Sequence, residues 1–413
     1  MQIDTLKRAA SAGDVQACLE LARGYAARDD FVQARAWLER AHALGDIQAG
    51  HELGMLAAYA PDRASPDVAA ARIHFDHAAR AGHAEARYRL ALIALGGEPT
   101  TLDADAILGA VHAAALGGCV PALRALGMAW AHAGDSDAAR ACFAHGFALH
   151  DAVAAFLLAR LTRDPEQAQR LDAYAAAHGV RRAAAFVREA NLATPGDPGS
   201  LPGVPPAHVL ATPLAGAHEH HAQPRIATFD GVFSALECEY VIALAAAHVQ
   251  PSMVHDPQTG GPMRHPIRTS SSMTFPRHDE DLWLRELQRR LAALAATPLA
   301  LAEPLAVLRY APGEEYRPHR DYLRDPAELA APAPGQRVRT IFAYLTDVPE
   351  GGATDFPILG VRIAPQRGRV VLFDNLRADG VADPDTLHAG LPVVRGRKWL
   401  ATLWLRERPL RAW

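Results

Sequence analysis

With 413 residues, half of them hydrophobic, the chain has material for two or three buried cores rather than one. A net charge of -4 with a pI near 6.6 offers no basic stripe, which excludes bulk attraction to nucleic acid or anionic lipid. The opening "MQIDTLKRAASAGD" lacks an apolar core and no window is long and apolar enough to span a bilayer, so no secretion signal or membrane span is expected, and the cytoplasm is.

From residue 1 to about 192 the chain is alanine-rich, with apolar residues spaced at three and four. A small motif recurs in it: "AGDVQA" at Gly13, "LGDIQA" at Gly45, "AGHAEA" at Gly82, "GGCVPA" at Gly118 and a degenerate "LHDAVA" at His150. Intervals of 32, 37, 36 and 32 residues predict stacked helix pairs, none able to hide its apolar face alone. The glycine should end one helix in a left-handed cap, and the alanine four places on should let the next helices approach closely. With "LGMLAAY" and "LGMAWAH", these units resemble the tetratricopeptide-like Sel-like repeats over roughly residues 5 to 160. That resemblance implies a concave surface for a protein partner; an array that only stabilises or spaces the second domain is the other reading. The cysteines Cys18, Cys119, Cys142 and Cys238 lack CxxC spacing and are expected to be small buried hydrophobes.

"TPGDPGSLPGVPPAHVLATP", Thr194 to Pro213, is too rich in proline and glycine for a helix, so residues 193–223 read as a linker. The "HEHH" run, His218 to His221, falls at its end and is read as a solvated cluster rather than a metal site. From about 224 the period changes. "RTIFAYLTDV", "GRVVLFDN" and "KWLATLWLRE" are strand-like, while "SALECEYVIALAAAHV" and "EDLWLRELQRRLAALAA" are helical, so residues 224–413 predict a sandwich or jelly roll with helical buttresses.

In "YRPHRDYL", Tyr316 to Leu323, an extended backbone turns His319 and Asp321 to the same side. An isolated HxD carries little information. His388 follows 67 residues later in "LHAGLPV", and Lys398 ten further on. Two neutral imidazoles and a carboxylate on one face of a metal form the facial triad of non-haem Fe(II) oxygenases, with positions open for a chelating co-substrate and dioxygen. A 2-oxo dicarboxylate would need a deep cation for its far end. Lys398 suits that role, being one of only two lysines in the chain, the other Lys7.

The segments "RTS" (Arg268 to Ser270), "LRYAPGEEYRPHRDYL", "RTIFAYLTDVPEGGATDFP", "GRVVLFDN" and "LHAGLPVVRGRKWLATLWLRE" together resemble the catalytic domain of the 2-oxoglutarate-dependent prolyl 4-hydroxylases. The resemblance implies a multidomain α + β chain in which an α-solenoid precedes a double-stranded β-helix, or jelly-roll, oxygenase domain. It implies Fe(II), 2-oxoglutarate and O2, with ascorbate as reductant, and oxidative decarboxylation to succinate coupled to hydroxylation of a C–H bond. His319, Asp321 and His388 would hold iron; Lys398 would pair with the distal carboxylate, helped by Tyr310 and Thr354. Tyr316, Arg337 and Trp404 fall where the family contacts its peptide or closes over the iron. Ala353 stands where the family more often has glutamate, and "HDPQTGGPMRHPIRTSS" matches the mobile substrate loop in place more than in letters. Asp321 favours hydroxylation, since related halogenases lack a carboxylate there.

For several of these residues a plainer role stays open: Thr354 in a turn after Gly351 and Gly352, Tyr316 and Trp404 as packing aromatics, Arg337 in a surface ion pair. A proline-containing protein or peptide is the expected substrate, with no nucleic acid and no membrane as partner. Another side chain, a small peptide, a free amino acid, or a degenerate adaptor are the alternatives.

Overall fold

The computed structural model describes residues 2–59, 66–96, 103–180, 192–210, 216–255, 262–263 and 266–411. The end of the expected helical stretch, 181–191, and about half of the expected substrate loop, 256–261 and 264–265, lie outside the described residues. Two compact units form. One holds the chain up to Leu126 with Leu201–His208, the other Gly127–Ser200 and Val209–Arg411.

The first unit is a succession of helices, each packed on the next: Gln2–Ser11, Val15–Ala26, Phe31–Ala43, Ile47–Tyr59, Val68–Arg80, Ala84–Leu95 and Ala104–Leu116, running into Val120–His132. The recurring motif builds its turns. Gly13, Gly45, Gly82 and Gly118 adopt φ of 97°, 93°, 97° and 81°, the left-handed region open to glycine at little cost. The next residue caps the following helix: Asp14, Asp46 and His83 accept from the backbone N–H of Ala17, Ala49 and Ala86. Those alanines, with Ala122 and Ala154, are buried, as close helix approach requires. His150 takes the glycine's place in the last motif, at φ 63°. The Leu201–His208 segment, inside the expected linker, is held to the array where His112 Nε2 meets the Pro202 carbonyl at 2.9 Å.

The second unit includes, before residue 180, the helices Ser136–Ala148, Ala152–Leu161 and Pro165–Ala177. Ala152–Leu161 packs on Ala235–Ala245, and Arg160 pairs with Glu239 at 3.5 Å. This division and the expected boundary near residue 192 do not coincide. Gly127 lies against the buried Phe143 ring, which a Cβ would overlap. Gly127→Val should therefore lower unfolding stability by about 1–3 kcal/mol, seen as an earlier thermal midpoint, although valine is the better helix former. An unchanged midpoint would mean the contact is soft.

Two antiparallel sheets face each other in this unit. The larger has the strand order His218–Ala222, Arg225–Phe229, Val370–Asp374, Arg337–Tyr344, Lys398–Arg406, Ala306–Tyr310, Ser271–Thr274 and Gln250–Pro251; the smaller runs Val361–Ile363, Thr354–Phe356, His388–Gly390 and Tyr316–His319. Side-chain alternation sends Leu308, Phe342, Tyr344, Phe373 and Leu400 into a shared apolar core with Phe356 and Ile363 of the smaller sheet. The Leu282–Leu294 helix packs against the larger sheet as an outer buttress. This is the expected jelly roll. The strand His218–Ala222 corrects the placing of "HEHH" in a linker: it pairs with Arg225–Phe229, His220 Nε2 lies 2.9 Å from Thr228 Oγ1, and His221 Nδ1 lies 2.9 Å from the Pro224 carbonyl. The hairpin was hidden because three histidines and a glutamate carry no strand propensity of their own. No helix among the described residues is long and apolar enough to cross a membrane.

Candidate active site

Strand pairing brings the distant candidates together. His388 sits opposite His319 in the smaller sheet, and Lys398 sits opposite Tyr310 in the larger one. Between the sheets lies a cavity of about 310 Å³ lined by all nine candidate residues.

His319, Asp321 and His388 present ligand atoms within 4.8 Å of one another. His319 Nε2 lies 3.6 Å from Asp321 Oδ1, and His388 Nε2 lies 3.9 Å from Oδ2. Each histidine donates Nδ1–H to a carbonyl two residues back, Arg317 at 2.9 Å and Thr386 at 3.0 Å, which turns an unprotonated Nε2 toward the centre. Burial and the neighbouring His388 push His319 down to about 3, while Asp321, despite its burial, is drawn down to about 2 by the two histidines, Arg337 and Thr340. Two imidazoles, each with Nδ1 tied to a backbone carbonyl, beside a carboxylate are a donor set that fits a divalent metal.

Asp321 is held in place. Its Oδ2 accepts from Thr340 Oγ1 at 2.7 Å and from Trp404 Nε1 at 3.1 Å, and Asn375 Nδ2 donates to Thr340 Oγ1 at 3.0 Å. Both Oδ2 donors are protein groups, so Oδ1 is the freer ligand atom. Trp404 is thus more than a packing aromatic. Arg337 lies 4.2 Å over the Trp404 ring and makes two hydrogen bonds to Glu303, at 2.7 and 2.8 Å: the ion-pair reading holds, but beside the site. Tyr316 stacks on His319 with ring centroids 3.4 Å apart.

Lys398 is fully buried. Its Nζ donates to the Gly352 carbonyl at 2.9 Å and lies 4.4 Å from the Tyr310 ring centroid. No carboxylate pairs with it among the described residues, and burial alone pushes the ammonium down to about 7. A Cβ on Gly390 would stand 3.2 Å from Nζ, so this glycine keeps space open in front of the charge. A buried, uncompensated ammonium facing a cavity fits an anionic ligand. Thr354 Oγ1 lies 2.7 Å from the Tyr344 hydroxyl, and burial pushes the Tyr310 hydroxyl up to about 12.

Thr340, Asn375, Tyr344 and Glu303 were not singled out from the sequence. Alternation along "RTIFAY" gives Thr340 and Tyr344 the same face as Phe342, a signal available in the strand pattern. Asn375 and Glu303 carry no such signal.

Residues 305–406 match the family model of the 2OG-Fe(II) oxygenase superfamily. Prolyl 4-hydroxylase 1 of Arabidopsis thaliana is 38% identical over 200 residues, covering 45% of this chain and 70% of that protein. A viral collagen prolyl hydroxylase from Paramecium Bursaria Chlorella virus-1, solved with 2OG, is 27% identical with a TM-score of 0.36, covering 44% of this chain and 95% of that one. A Sel1 repeat protein from Oxalobacter formigenes is 20% identical with a TM-score of 0.39, covering 43% and 78%.

Proposed function

The chain belongs to the prolyl 4-hydroxylase family of 2OG-Fe(II) oxygenases, and from that premise we propose that it hydroxylates prolines in a protein or peptide substrate. It is a 2-oxoglutarate-dependent dioxygenase using Fe(II), 2-oxoglutarate and O2. The observation that carries the reading is His319, Asp321 and His388 meeting in one cavity with the unpaired Lys398.

Bound together, the metal and the keto acid would supply the oxidative chemistry: O2 is consumed, the keto acid loses CO2 to become succinate, and a C–H bond gains one oxygen atom. His319 and His388 would hold the metal through Nε2 and Asp321 through Oδ1. Thr340 and Trp404 fix that carboxylate. Lys398 would pair with the distal carboxylate, above the Tyr310 ring and near Thr354. Leu308, Phe342 and Leu400 keep the floor dry. Tyr316, Arg337 and Trp404 would form the substrate side, where an extended proline-rich segment has little entropy to lose. The proposed reductant is ascorbate, and the proposed setting is cytoplasmic, consistent with four free, buried cysteines. The helical repeats are proposed to recruit the protein substrate. In that case substitutions on their exposed faces raise KM for the full protein and leave KM for a short peptide unchanged.

The test is mass spectrometry of proline peptides incubated with enzyme, Fe(II), 2-oxoglutarate and O2. The expected result is a gain of one oxygen atom on proline, dependent on every component; succinate formation with no oxidised proline in any substrate would sink the prolyl assignment.

Lys398 also sets a pH dependence. In the free protein its pKa is about 7, whereas a bound carboxylate stabilises the ammonium and raises that value. Above about pH 7 binding must then take up a proton, and 2-oxoglutarate affinity should fall roughly tenfold per pH unit. Below about 7 it should be flat. Calorimetry in buffers of different ionisation enthalpy reads the proton uptake directly; an affinity independent of pH from 6 to about 9 would contradict it.

A further inference from the structure

Five charged side chains other than histidine line the active-site cavity: Arg268, Arg320, Asp321, Arg337 and Lys398. Most of this charge is compensated once the cofactors are bound. The two positive charges of Fe(II) and the one of Lys398 are matched by Asp321 and the two carboxylates of 2-oxoglutarate. Arg337 is matched by Glu303. Arg268 and Arg320 are left over. Arg320 spends Nε on the Pro384 carbonyl at 2.8 Å, and Arg268 lies 5.0 Å over the Tyr316 ring with Nε 3.4 Å from Ser270 Oγ. Neither meets a carboxylate among the described residues.

Among the described residues, the acids nearby have other partners or line another hollow. Glu315 pairs with Arg317 at 3.0 Å, and Glu314 accepts from the Ala311 N–H at 2.7 Å. Asp383 and Asp385, which flank Pro384, line a neighbouring hollow. Position matters as much as charge. Arg320 lies between the ligands His319 and Asp321 in the chain, and Arg268 and His319 both contact the Tyr316 ring.

From this charge balance we propose that the prime substrate is acidic: its target residue is flanked, about one to three positions away, by aspartate or glutamate held by Arg320 and Arg268. An extended peptide advances about 3.3 Å per residue, so one to three positions correspond to about 3–10 Å along it, within the reach of side chains lining the same cavity. The inference rests on the prolyl reading for the target residue but not for the charge. Guanidinium groups recognise carboxylates through paired N–H donors, and a partly exposed pair discriminates modestly.

The experiment uses full-length enzyme with Fe(II) and 2-oxoglutarate under anaerobic conditions. Calorimetry measures binding of three proline peptides identical except for glutamate, glutamine or lysine at the flanking positions. Glutamate should bind roughly four- to twenty-five-fold more tightly than glutamine, and lysine more weakly than both. The glutamate advantage should shrink as salt is raised. In Arg320→Gln and Arg268→Gln the glutamate-to-glutamine ratio should fall about two- to fivefold each, whereas Arg320→Lys should keep most of it. The ratio is read within one variant, so a general loss of stability does not imitate the effect. Equal affinities, or tighter binding of the lysine peptide, overturn the proposal. Aerobic incubation of the same peptides separates it from the prolyl reading. Tight, salt-sensitive glutamate binding with no oxidised proline would refute the prolyl target and leave the charge preference standing.

Discussion

Lys398→Ala should weaken 2-oxoglutarate binding by two to four orders of magnitude. Removing one partner of a buried ion pair costs about 3–5 kcal/mol, and every 1.4 kcal/mol is about tenfold in affinity. The ammonium is fully buried, and among the described residues no carboxylate pairs with it in the ligand's place. A second effect should run the other way. Without ligand, the wild-type protein bears the cost of a desolvated ammonium, so the variant should be as stable as the parent or more so on thermal unfolding. Lower affinity with undiminished stability separates a ligand-binding lysine from a structural one. Unchanged affinity would remove Lys398 from the co-substrate site.

Asp321→Ala should abolish metal-dependent succinate formation, a fall of at least about a hundredfold, with the far-ultraviolet circular dichroism preserved. Changes to groups that merely orient metal ligands cost ten- to a hundredfold, and loss of a ligand should exceed that. The substitution also strands the Thr340 hydroxyl and the Trp404 N–H, which now donate to Oδ2. Asp321→Asn isolates the charge, because its amide oxygen can still accept from both. If the asparagine variant turned over at the parental rate, Asp321 would serve packing rather than metal binding.

The parts of this architecture that the sequence made legible are those fixed by local stereochemistry. The repeat glycines were readable because a left-handed turn admits few other residues, and His150 shows the exception, keeping the conformation with a non-glycine. His319 and Asp321 were readable because they stand two apart in the chain, although the strand ends at His319 and Asp321 follows just beyond it, not within the extended run expected. The pairing of His388 with His319, by contrast, depends on a register between strands far apart in the chain, which no local pattern encodes. Their association was drawn from ligand type, two imidazoles and a carboxylate, and strengthened by the resemblance to a family. Glu303, which binds both Arg337 and Arg406, and Asn375, behind Thr340, were invisible for the same reason: their roles exist only after strands distant in the chain have paired within the larger sheet. The strand His218–Ala222 was lost to composition, since its histidines suggested solvent while its backbone was completing a sheet.

The central claim is that His319, Asp321, His388 and Lys398 form one site for a metal and a keto acid together. Anaerobic calorimetry of 2-oxoglutarate, with and without Fe(II), tests it most directly. One 2-oxoglutarate should bind per chain, with an affinity that rises sharply when Fe(II) is present and loses that rise in His388→Ala. Binding of equal strength without metal, or none with it, would contradict the account.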